Sequence, residues 1–226
     1  MTELVKYRNK NGLIWLNVAS STYTLPGFVN YDNHVFLWLS RLPAALTNPL
    51  PKKHRDYIAA YRKAAKVGQL LIHDCRKRLP LPDNAADHIL CSHFLEHVFP
   101  DECSQVLRDF HRVLKPGATL HVIVPDLAVQ AETYLKRRRA REKGAADAFV
   151  KEMLLTTEKR GSTRYRVLEG LGAFGLQHRW MYDKDTITDK VVEAGFALVE
   201  TNDTPSTSFR EGDDSVHVVA RKAIVQ

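Results

Sequence analysis

The chain is poor in cysteine. It has three, Cys75, Cys91 and Cys103, and none forms a C-x-x-C pair. An odd number without that spacing argues against a disulfide framework and against a cysteine-based zinc site. A reducing, cytoplasmic compartment is the expectation. Long apolar runs are also missing: no stretch approaches the roughly 18 residues that a membrane span needs. Met1-Thr2-Glu3-Leu4-Val5-Lys6 lacks the apolar segment of a signal peptide. Internal repeats and low-complexity tracts are absent too. What is present is ordinary globular composition, with 44% hydrophobic and 26% charged residues in 226. A chain of this size can bury a substantial core as one domain, residues 1–226.

The charge is unbalanced, with 33 Lys and Arg against 26 Asp and Glu, a formal net charge of +7. That favours anionic partners. Much of the excess lies in 52–78 and 136–143. The run Lys136-Arg137-Arg138-Arg139, with Arg141 and Lys143, reads as a solvated helix face or as a lip for an anionic acceptor. No recognised RNA module accompanies it and no aromatics are interleaved, so nucleic acid is the weaker choice of partner.

Apolar runs and punctuation outline the elements. Strands are expected over 13–18, 28–32, 69–73, 87–91, 119–124, 196–200 and 216–220. Tyr57, Ile58, Tyr61 and Ala65 recur at helical spacing, with Gly68 as the stop. Val106, Leu107, Phe110, Val113 and Leu114 share one face of a second helix, which Lys115-Pro116-Gly117 should end. A third helix is expected over 185–194 with an Asp cap. Strands alternating with helices predict an α/β, Rossmann-like doubly wound fold. Its sheet should be mainly parallel, with an antiparallel C-terminal strand and helical insertions.

Ser92-His93-Phe94-Leu95-Glu96-His97 carries the densest chemistry. As H-x-x-E-H it is the inverted zinc-peptidase pattern, so a metal-dependent hydrolase is one reading. That reading needs the motif within a helix, and here a strand ends immediately before it. A second reading makes Glu96 and His97 structural, with Glu96 at a helix N-terminus where the dipole favours an anion. A third makes His93 a general base, since an imidazole near pKa 6.5 can take a hydroxyl proton.

Five segments occur in an order that resembles a family. They are L-P-G-F-V-N-Y-D (25–32), H-D-C-R-K-R-L-P-L-P-D-N-A-A-D (73–87), S-H-F-L-E-H-V (92–98), L-R-D-F-H-R-V-L-K-P-G-A-T-L-H-V-I-V-P-D (107–126) and H-R-W-M-Y-D (178–183). Together they resemble a class I S-adenosylmethionine-dependent methyltransferase of the type-11-like group associated with glycan and surface-polysaccharide biosynthesis. The resemblance implies S-adenosylmethionine as cofactor. It implies methyl transfer to an oxygen of a sugar or related small metabolite, and the basic charge adds the expectation of an anionic acceptor.

By resemblance, Ala19, Ser20 and Ser21 form the first cofactor turn. Asp32 meets the ribose, Asp74 and Cys75 lie near the adenine, and Ser92 lies near the methionyl part. His93, His178 and Tyr182 become the catalytic candidates, with no metal. Residues 33–68 and 127–177 become insertions forming the acceptor side or lid. One departure stands out: the family usually has Gly-x-Gly where this chain has Ala19-Ser20-Ser21. That departure favours an alternative, a non-catalytic binding or scaffold protein with a degenerate cofactor loop.

Overall fold

The computed structural model describes residues 2–156, 163, 177–198 and 214–224. Seven strands form one sheet in the order β3-β2-β1-β4-β5-β7-β6. They are β1 (Trp15–Val18), β2 (Val29–Asp32), β3 (Gln69–Ile72), β4 (Ala86–Ser92), β5 (Leu114–Pro125), β6 (Phe196–Leu198) and β7 (Ser215–Lys222). The first five pair in parallel. The last, β7, runs antiparallel between β5 and β6. This is the Rossmann-like sheet that the alternating pattern predicts. The expected strand over 196–200 ends at Leu198, and residues 199 and 200 lie outside the described ones.

Between β2 and β3 run α1 (Val35–Ser40), α2 (Ala44–Thr47) and α3 (Lys52–Val67). Leu37, Tyr61 and Ala64 from these helices pack on Leu70 of β3. The amphipathic helix α4 (Pro100–Val113) follows β4, and α5 (Leu127–Arg139) and α6 (Ala145–Glu152) follow β5. The remainder of the 127–177 insertion, 157–162 and 164–176, lies outside the described residues. Helix α7 (Lys184–Glu193) precedes β6, with Asp183 accepting from the Thr186 N–H at its start.

The main core lies between the sheet and α4 and α7. Ile89, Cys91, Leu120, Val122 and Val124 meet Val106, Leu107, Phe110, Ile187 and Val191 there. The intervening strand residues Leu90 and Ile123 point the other way and pack with Phe28. That is the period-two alternation of a strand.

Two expectations need correction. Helix α4 does not end in a glycine stop. It passes at Leu114 (φ −70°, ψ 139°) straight into β5, and the 115–118 stretch forms an irregularity between the Ala86↔Leu114 and His88↔Thr119 pairs. The reason is a cation from a distant strand. Lys222 Nζ donates to the carbonyls of His111 and Leu114 and to Asn84 Oδ1 at 2.8, 2.9 and 2.8 Å. It satisfies helix-end acceptors that a glycine motif would otherwise turn inward. The second correction concerns Glu96. It lies in a 3-10 turn, Leu95–His97, and α4 starts only at Pro100. The helix-dipole account of Glu96 therefore fails, and so does the helix that the peptidase reading needs.

The crossover from β1 to β2 contains no helix. Two buried asparagines replace one. Asn17 Nδ2 donates to the Tyr23 carbonyl and to Asn30 Oδ1, both at 2.9 Å. Asn30 accepts from the Leu25 N–H at 2.8 Å and donates to the carbonyls of Leu25, Phe28 and Gln69. Gly68 makes this approach possible: a Cβ there would stand 2.7 Å from the Leu25 carbonyl oxygen.

Candidate active site at the carboxyl edge of the sheet

Strand order reverses between β1 and β4, and ligands of open α/β sheets bind outside the carboxyl ends of the strands at such a point. Five strand ends converge there. Ala19, Ser20 and Ser21 follow β1, Asp32 ends β2, Asp74 and Cys75 follow β3, Ser92 and His93 close β4, and Asp126 follows β5.

The first turn keeps a glycine-type backbone without glycine. Ala19 and Ser21 have φ of 51° and 49°, a region where L-residues cost roughly 1–2 kcal/mol each. Contacts to β2 hold it: the Ser20 N–H donates to the Tyr31 carbonyl at 2.8 Å and the Ser21 N–H to Asp32 Oδ2 at 2.9 Å. Asp32 is itself nearly saturated. Its Oδ1 accepts from the His34 N–H at 2.7 Å and from the Tyr61 hydroxyl at 3.3 Å. Three of its roughly four acceptor positions are thus taken by the chain.

Tyr61 and His34 stack with ring centroids 5.7 Å apart. Burial pushes the Tyr61 phenol upward, reinforced by the Asp32 charge, so it stays a donor. Burial likewise lowers the His34 imidazole, against the pull of Asp32.

Asp74 faces Arg76, which holds both its oxygens at 2.9 and 2.8 Å. Partial burial works against the Asp74 charge, yet Arg76 outweighs it and the carboxyl sits below its usual range. Cys75 is buried, and its thiol reaches the His73 carbonyl at 3.8 Å. Burial pushes that thiol up to about 12, with the Ala19 backbone opposing.

His93 continues the β4–β5 ladder by donating its N–H to the Ile123 carbonyl at 2.9 Å. It then turns into the left-handed region at φ 52°. Such strain at a strand end persists only when the surroundings over-determine it. The His93 side chain is 25% exposed, and its Nδ1 lies 3.3 Å from Oε1 of Glu96, whose side chain is 1% exposed. Among the described residues neither Glu96 oxygen has a partner of hydrogen-bond geometry, so this contact is an ion-pair approach only.

The 177–182 segment packs over the same turn. The N–H groups of Arg179 and Trp180 donate to the Glu96 carbonyl at 2.6 and 3.2 Å. The His97 and His178 rings meet edge to face at 4.9 Å. His178 is thereby brought beside His93 and Glu96. Tyr182 is fully buried. Burial drives its phenol upward, followed by the neighbouring Cys103 thiol.

Sequence reasoning did not single out Tyr61, His34 or Arg76. The Arg76 role is local, two residues from Asp74, and was open to inspection. Tyr61 meets Asp32 across 29 positions, a pairing that no local pattern carries.

Residues 51–122 match the family model described as "Methyltransferase domain". The match covers 72 of the 226 residues and marks a methyltransferase domain, with S-adenosylmethionine as the methyl donor. Among solved structures it is similar to a SAM-dependent methyltransferase from Methanosarcina mazei, at 13% identity and TM-score 0.50, over 93% of this chain and 92% of that one. It is also similar to a Pyrococcus horikoshii protein, at 16% identity and TM-score 0.50, over 96% and 83% of the two chains. These likenesses bear on the fold. No curated protein matches the sequence.

The residues present fit such a cofactor. The left-handed Ala19 and Ser21 keep the turn that lets backbone come close to a ligand. Asp32 retains an acceptor position, and Ser92 stands at the switch point. The cofactor supplies, when bound, an already activated methyl group.

Proposed function

We propose that the protein methylates an oxygen of a small, carbohydrate-related acceptor, with His93 as the general base. The observation that carries this reading is the placement of His93. It is strained, partly exposed, at the switch point, and backed by a buried carboxylate 3.3 Å away. A carboxylate behind an imidazole stabilises the imidazolium that forms on proton uptake. With an activated methyl group in place, this chain has two tasks: to hold the acceptor in line and to remove its proton.

His178, brought in from the 178–183 segment, is proposed to orient the acceptor. Asp32 and the 19–21 turn are proposed to hold the cofactor, with Ser92 beside its methionyl part. Asp74 and Cys75 are proposed near the adenine, where the buried Cys75 would act through shape rather than through its thiol. Tyr182 takes no part in the proposed chemistry, because it is fully buried. The 33–68 and 127–177 segments are proposed as the acceptor side. The net charge of +7 supports an anionic acceptor.

Two measurements test this. Calorimetric titration with S-adenosylhomocysteine should show saturable binding, and no heat at high micromolar concentration would remove the cofactor from the reading. With an acceptor found by screening sugars and sugar phosphates, His93→Ala should lower turnover by about 100-fold, within the usual range for loss of a general base. Cofactor affinity should stay nearly unchanged. Full turnover by that variant would eliminate His93 as the base.

A further inference from the structure

The Glu96 carboxylate presents a problem that methyl transfer leaves unsolved. It is buried and, among the described residues, neither oxygen has a hydrogen-bond partner, while the His93 and His97 rings approach it at 3.3 and 4.0 Å. An ionised carboxylate in that position is costly unless a cation compensates it. Two imidazoles surround it. Among the described residues, Glu96, His97 and His178 each offer one ligand atom, all within 4.8 Å of one another.

The His97 ring is oriented toward that point by the backbone. His97 Nδ1 lies 3.1 Å from the Gln177 carbonyl. A carbonyl can only accept, so Nδ1 carries a proton, and in the neutral ring Nε2 presents its lone pair. That Nε2 lies 4.0 Å from Glu96 Oε1. In that neutral form both atoms are acceptors, and a cation between them satisfies both. His178 Nδ1 is buried and, among the described residues, has no hydrogen-bond partner. His97, with its second nitrogen held by the Gln177 carbonyl, has the usual outer-shell arrangement of a ligating histidine.

We propose that Glu96, His97 and His178 bind a divalent transition ion through one carboxylate and two imidazoles. The donor set suits zinc, manganese, iron(II) or cobalt(II) over magnesium or calcium, which prefer all-oxygen shells. Three protein ligands leave at least one coordination position open. Metal–ligand bonds of about 2.0–2.2 Å require neighbouring ligand atoms to sit roughly 3–3.5 Å apart. The side chains therefore draw in by about an ångström on binding. Glu96 has two oxygens, so holding the ion is compatible with facing His93. The site is not the H-x-x-E-H triad of the sequence motif. It takes its third ligand from residue 178 and leaves His93 outside.

The test uses the full chain, stripped with a chelator and titrated with cobalt(II) alone. One equivalent should bind, with visible absorption bands of an imidazole-ligated ion, and zinc should displace it. Glu96→Gln and His178→Ala should each weaken binding by more than about 100-fold, beyond the 10–100-fold typical of outer-shell changes. His93→Ala should retain it. Because His178→Ala can perturb packing, thermal unfolding provides a second readout. Zinc should raise the melting temperature of the native chain and of His93→Ala, and not that of Glu96→Gln. Binding well below one equivalent, binding unchanged in both ligand variants, or loss in His93→Ala with retention in His178→Ala would each overturn the assignment.

Discussion

At the scale of single residues, the first turn shows how a backbone conformation can outlast the residue type that favours it. Ala19 and Ser21 hold φ near +50° because Tyr31 and Asp32 accept from the adjoining N–H groups. Ala19→Gly should therefore stabilise the chain by up to about 1 kcal/mol, the relief of left-handed strain less the entropy glycine gives up. Urea unfolding at matched slope measures it, and a loss of stability would mean that the alanine methyl packs usefully. Much at this scale was legible beforehand. Asp32, Ser92 and His93 were placed at strand ends because apolar runs stop there. The saturation of Asp32 was not legible, since one of its donors, Tyr61, belongs to a helix whose spacing reports only burial.

At the scale of elements, the end of α4 carries the clearest lesson. The Lys115-Pro116-Gly117 sequence reads as a helix stop, and locally that reading is sound. Lys222 overrides it by reaching back from β7 to the helix carbonyls. A cation at a helix C-terminus gains from the dipole as well as from hydrogen bonding. Lys222→Met should cost about 1–2 kcal/mol, more than an ordinary exposed lysine. Amide exchange in the last turn of α4 would rise in that variant; an unchanged pattern would show that Leu114 needs no cap from β7. The Leu95–His97 turn is a parallel case. Spacing alone admitted a helix there, and the left-handed His93 prevents its start.

At the scale of the whole molecule, the mainly parallel sheet with its antiparallel C-terminal strand followed from strands alternating with helices, while the strand order came from the structure. Histidines inside that sheet make the fold sensitive to acid. His88 and His121 are buried, and desolvation lowers each to about 4. His88 Nδ1 lies 2.7 Å from Thr119 Oγ1, and His121 Nε2 lies 3.1 Å from His217 Nδ1. A folded pKa below the unfolded value near 6.5 means that the unfolded chain takes up protons first. Stability is full above pH 6.5 and falls as pH drops from there toward 4, with a ceiling of about 3 kcal/mol per group. His88→Gln should flatten part of that slope in denaturant titrations across the window. An identical slope would assign the acid sensitivity elsewhere.

The helix-free crossover between β1 and β2 has a consequence for how the molecule breathes. A ten-residue surface connection normally exchanges its amides freely. This one is stitched to the sheet by Asn17 and Asn30 and pinned by the Thr24 hydroxyl on the Ala64 carbonyl at 2.8 Å. Its Leu25 amide should exchange as slowly as those of β1, through global opening rather than local fraying. The loop beside the candidate cofactor turn would then open only when the sheet itself does.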